Sequence, residues 1–133
     1  MFKPPFQNMF AVLMTIFTLH LISLQNDYYW LIWWYDIMMH FLGGVWVVLV
    51  LIWLNQLKAA AVVLTFKRVL TTIVVVGLAW EIYELLFNQT FIDAKGYGLD
   101  TVLDLIMNTV GAVAAYFLLN QRCGLTNNGK AAP

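Results

Sequence analysis

The chain has 133 residues, the length of one domain, and 62% of them are hydrophobic while only 11% are charged. A soluble domain of that size has too little interior to hide so much apolar surface, so lipid is the expected solvent. Seven basic and seven acidic residues cancel to a formal net charge of zero, so no bulk field would capture a nucleic acid and no nucleic-acid partner is expected.

Four apolar stretches approach the roughly 20 helical residues that cross a hydrocarbon core. They fall at about 7–25, 32–54, 69–88 and 100–119. The expected fold is all-α, an integral membrane four-helix bundle over residues 1–120, with a polar cytoplasmic tail over 121–133. Lys3 ahead of the first stretch imitates a secretory signal, but "HLISLQNDYYW" after it has no small-x-small cleavage site, so that stretch is expected to stay as a helix. At the start of the second, "DYYWLIWWYD" gathers Tyr28, Tyr29, Trp30, Trp33, Trp34 and Tyr35, rings that favour headgroup depth and read as an interfacial anchor. The connection "NQLKAAAVVLTFKR" is short and cytoplasmic, or a helix lying in the interface. Cys123 is the one cysteine, so no intramolecular disulfide forms.

Short loops rich in Lys and Arg stay cytoplasmic. Lys3, Lys58, Lys67, Arg68, Arg122 and Lys130 fall on one side of a four-span arrangement and Lys95 alone on the other. Both termini are therefore expected inside, in the inner (plasma) membrane. Every acid in the chain, Asp27, Asp36, Glu81, Glu84, Asp93, Asp100 and Asp104, falls in an outer loop or the outer half of a helix.

Three of the four stretches carry polar groups at helical spacing. Asp36 and His40 are i and i+4, with Gly43 and Gly44 about a turn further on; Gly77, Glu81 and Glu84 share a face; Asp100, Asp104 and Asn108 continue toward Gly111, Ala112 and Ala115. Small residues let membrane helices approach closely, so contact along the glycine and alanine stripes would turn the carboxylates and the imidazole toward one another. At about 1.5 Å per residue, His40, Glu81 and Asp104 all lie roughly 6–12 Å below the outer helix ends. A charge at the centre of a span costs about 2.5–3.5 kcal/mol, and no basic residue stands in the outer half of any stretch. Shared protons, a bound divalent cation or a watery vestibule would each relieve the cluster. The cation is favoured, and oxygen-rich ligation with one imidazole suits Mg²⁺, Mn²⁺, Ca²⁺ or Zn²⁺ alike. Blander readings stand beside this one. Asn108 and His20 are each ordinary interhelical hydrogen-bond partners, Asp27 and Asp93 are solvated loop charges, and Asp100 is an N-cap.

"DIMMHFLGG", "WEIYE" and "DTVLDLIMNTVGA" resemble the three signature segments of the VanZ-like and YjdF-type small polytopic membrane proteins, over residues 36–112. On that resemblance Asp36, His40, Glu81, Glu84, Asp100, Asp104 and Asn108 take the family positions. Ile37 stands where VanZ-like members carry Lys, no Arg precedes Asp100, and Glu84 in place of Gln leans toward the YjdF-type branch. The resemblance implies a small envelope membrane protein and carries no settled activity with it.

The functional expectation is an outward-facing, metal-dependent enzyme acting on a lipid or envelope substrate. Asp36, His40, Glu81, Glu84, Asp100 and Asp104 would hold the cation, His40 or Glu81 would act in catalysis, and Asn108 would give polar support. The alternative is a non-catalytic ion- or proton-binding module, or an accessory subunit with a membrane-protein partner or a second copy of the chain. A di-iron bundle using His20 as second imidazole ranks last, because its Glu-x-x-His spacing is missing.

Overall fold

Helix is the only form these apolar runs can take singly in lipid, because every backbone N–H and C=O must be satisfied within the segment. A computed structural model describes residues 4–57, 64–86 and 97–123. It contains α1 (Pro4–Asn26), a short α2 (Tyr28–Leu31), α3 (Tyr35–Gln56), α4 (Phe66–Leu86) and α5 (Tyr97–Cys123). Four segments are long and apolar enough to cross a membrane: Phe6–Asn26, Tyr35–Gln56, Phe66–Leu86 and Gly98–Leu119. The expected four-span, all-helical architecture is present. The second span begins at Tyr35 rather than near 32, because extended Ile32 ends α2 and the Tyr35 N–H bonds back to its carbonyl. α5 runs on through Cys123, so the first three residues expected in the tail continue the helix, while 124–133 lie outside the described residues, as does Asp93.

The helices are not packed as a symmetric four-helix bundle. α3 lies against α5, α4 packs mainly on α5, and α1 touches α3 and α2 alone among the described elements. Side-chain register gives the directions: Phe6 lies against Trp53 and Tyr35 reaches Leu19, so α1 runs antiparallel to α3. His40 meets Asn108 and Gly44 approaches Ala112, while Val48 and Ile52 share a cluster with Ala115 and Tyr116, so α3 and α5 are parallel. α4 is antiparallel to both, with Thr101 on Glu81 at one end and Phe66 on Tyr116 at the other. α1 stays peripheral because it has no glycine and presents Phe10, Leu13, Met14 and Phe17 outward.

Lipid tails are as apolar as leucine, so helices in a bilayer adhere by close packing and polar contacts rather than by hydrophobic burial. Val48, Ile52, Val69, Ile73, Ala112, Ala115 and Tyr116 form the apolar half of the α3/α4/α5 interface. Its tightest points are two glycines. A Cβ on Gly44 would fall on the Asn108 carbonyl oxygen, and one on Gly111 would fall on the Phe41 carbonyl oxygen. These mutual approaches set the register in which α3 and α5 present their polar residues.

The link between α1 and α3 is tied back onto α1. Tyr35 Oη donates to the Leu19 carbonyl at 2.8 Å, Tyr29 Oη pairs with His20 Nδ1 at 2.9 Å, and the Tyr29 N–H donates to Ser23 Oγ at 3.2 Å. Asp27, at φ 55°, makes the reversal that starts α2, and aspartate is among the residues that tolerate this left-handed geometry. Trp30 and Trp33, 75% and 82% exposed, project from the turn as an interfacial anchor would.

Candidate functional site

The polar groups converge at one end of the three-helix core. Asp36 and His40 share a face on the first turns of α3, and the Gly44 approach brings that face against α5 at Asp104 and Asn108. α4 adds Glu81 from its last turns, one turn beyond buried Gly77. His40 and Glu81 are each 6% exposed, Asn108 7% and Asp104 2%. Lys67 and Arg68 stand at the far end of α4, about 20 Å of helix away from Glu81.

Asp36, His40 and Asp104 each offer a ligand atom, and the three atoms lie within 4.8 Å of one another. His40 Nε2 is 3.5 Å from Asp36 Oδ1 and 3.7 Å from Asp104 Oδ1. A charge-assisted hydrogen bond would draw such a pair to about 2.7–2.9 Å. Two ligands of one cation with bonds of about 2.1 Å stand roughly 3.0–3.4 Å apart, so these two edges are slightly wider than a ligand spacing and long for hydrogen bonds. Among the described residues, buried Asp104 Oδ1 has no hydrogen-bond partner, nor has buried Glu81 Oε1. Orphaned buried carboxylate oxygens are costly, and a cation against them supplies the missing partner. Two carboxylates and an imidazole therefore fit a divalent metal.

The remaining expected residues arrange themselves around this group. Glu81 is beside it but outside the three-atom cluster, its Oε2 accepting from Thr101 Oγ1 at 2.9 Å. Glu84 is half-buried, with Oε1 accepting from Trp80 Nε1 on its own helix at 2.6 Å. Asp100 lies exposed in the first turn of α5, inside the helix rather than at its cap. Asn108 Nδ2 lies 3.1 Å from His40 Nδ1. His20 faces Tyr29 and not the cluster, which removes the second imidazole of a di-iron site. Thr101 was not singled out from the sequence, and threonine in an apolar helix carries no signal that could have done so. Tyr29, read as an anchor ring, also edges the site: burial, then the charges of Asp36, Tyr35 and Glu84, raise its hydroxyl well above the ordinary tyrosine range.

Fold and site together define a helical, multi-pass membrane protein with a buried carboxylate–imidazole group at one end. The family model described as "Predicted membrane protein (DUF2238)" matches residues 1–123, and the chain belongs to that family. No curated protein and no solved structure matches the chain.

Proposed function

We propose that the chain is a divalent-cation protein of the plasma membrane, holding the ion on Asp36, His40 and Asp104. The observation that carries this reading is the cluster itself: three donors from two helices within 4.8 Å of one another, with Asp104 Oδ1 buried and, among the described residues, without a hydrogen-bond partner. Three protein ligands leave coordination positions open, the arrangement of catalytic rather than closed structural metal sites. With both termini cytoplasmic, the site faces outward at headgroup-adjacent depth, where the ion would polarise a phosphoryl or carbonyl oxygen of a lipid or envelope substrate. Glu81, its Oε2 accepting from Thr101 and its Oε1 without a partner among the described residues, would take a proton there. The likeness of "DIMMHFLGG", "WEIYE" and "DTVLDLIMNTVGA" to the VanZ-like and YjdF-type proteins belongs to the same reading.

Elemental analysis of the detergent-purified chain tests it. Wild type retains a stoichiometric divalent metal and Asp104→Asn loses it; wild type free of metal would overturn the reading. Glu81→Gln then assigns Glu81, as a further ligand if the metal is lost and as the base if it stays. A second reading, a non-catalytic ion module or an accessory subunit, draws support from the closure of the site. His40 and Asp104 are almost fully covered, and Asp36, with 29% of its side chain exposed, is the one member open to a substrate. Turnover of a lipid substrate by the isolated chain would remove it.

A further inference from the structure

Asn108 occupies a cradle made by three glycines and one imidazole. Its backbone carbonyl meets Gly44, a Cβ on Gly43 would stand 3.5 Å from its Oδ1, and a Cβ on Gly77 would stand 3.3 Å from its Nδ2. The amide nitrogen is 3.1 Å from His40 Nδ1. An amide NH₂ can only donate, so Nδ1 must accept with its lone pair, and the neutral ring then carries its hydrogen on Nε2. Nε2 lies 3.5 Å from Asp36 Oδ1 and 3.7 Å from Asp104 Oδ1, so in that tautomer it offers the carboxylates a hydrogen. That hydrogen blocks the lone pair that a cation at those oxygens would need.

Building on the cation site proposed above, we infer that Asn108 is its positioning residue. Its amide selects which nitrogen of His40 faces the carboxylates, and it turns over when a divalent cation binds. For loading, Nε2 gives up its hydrogen and forms the metal bond, while Nδ1 takes one up from water, so the ring stays neutral and no net proton is gained or lost. The new Nδ1–H needs an acceptor, and a half-turn of the Asn108 side-chain amide brings Oδ1 to it. Oxygen and nitrogen are nearly the same size, and the missing Cβ atoms of Gly43 and Gly77 leave space around both ends of the amide, so either orientation fits. Asparagine suits both states because it can donate or accept. A buried outer partner of this kind fixes the tautomer of a metal-binding histidine.

The test titrates Zn²⁺ into the full-length chain in detergent and reads the imidazole by ¹⁵N resonance of labelled histidine, His20 being assigned through His20→Gln. Cation-free wild type shows His40 with hydrogen on Nε2, and Zn²⁺ moves it to Nδ1. Asn108→Leu weakens Zn²⁺ binding about 10–100-fold. Asn108→Asp, which can only accept and so presets the loaded tautomer, binds at least as tightly as wild type, a rescue that a merely structural role would not give. The inference is overturned if Asn108→Leu binds within about threefold of wild type, if Asn108→Asp fails to rescue, or if cation-free His40 carries its hydrogen on Nδ1. Failure of wild type to take up Zn²⁺ would instead bring down the cation site itself, and with it the turnover of the amide.

Discussion

Gly43 and Gly44 are neighbours in the sequence, and the same methyl group on each should have opposite consequences. On Gly44 it would overlap the Asn108 carbonyl oxygen and lie 2.9 Å from both the Ala112 nitrogen and the Asn108 carbonyl carbon. These are backbone atoms of a continuous helix and cannot rotate away. Clearing the carbonyl oxygen to a contact of about 3.5 Å requires α3 and α5 to part by more than about 1 Å. Overpacking of this kind costs about 1–3 kcal/mol. The site lies one turn away, so its 3.7 Å edge between His40 and Asp104 would widen with the helices. Ligand atoms must converge to within bonding distance of one ion, so Gly44→Ala is expected to lose its cation as well as stability. On Gly43 the nearest atom would be Asn108 Oδ1 at 3.5 Å, an ordinary contact, and Gly43→Ala should stay within about 0.5 kcal/mol of wild type. Thermal unfolding in detergent, paired with metal content, reads both effects. Equal behaviour of the two variants, or a metal-replete Gly44→Ala, would refute the account of how the helices meet.

Other outcomes follow from individual contacts. Thr101→Val removes the hydrogen bond that Glu81 Oε2 accepts and should destabilise the chain by about 1–3 kcal/mol, with Thr101→Ser restoring most of it in the same unfolding assay. The Tyr29 hydroxyl sits above its usual value of 10.0 in the folded chain. Its stabilising contribution is therefore complete below that pH and is lost as pH rises past it. A pH series of unfolding temperatures should fall more steeply for wild type than for Tyr29→Phe on the alkaline side alone. For orientation, an impermeant maleimide added to intact cells should spare Cys123, whereas Trp33→Cys in a Cys123→Ser background should be labelled from outside.

Much of this molecule was legible in its sequence. The number and rough ends of the spans follow from composition, because a bilayer forces each sufficiently apolar run to satisfy its own backbone as a helix. The pairing of Asp36 with His40 is equally local, since residues four apart on a helix share a face whatever surrounds them. The choice among the acids was not local. Asp100 and Asp104 lie on one stripe of α5, yet the first is exposed at the helix end and the second is almost completely covered. Glu81 and Glu84 look interchangeable on α4, but Trp80 engages the latter and Thr101 the former. No local rule placed α1 outside the core or gave Asn108 to His40. Helical periodicity is a property of one chain segment and can be counted along it. The register between helices is set where two backbones come closest, and here that is at Gly44 and Gly111, where the cluster of Asp36, His40 and Asp104 is decided.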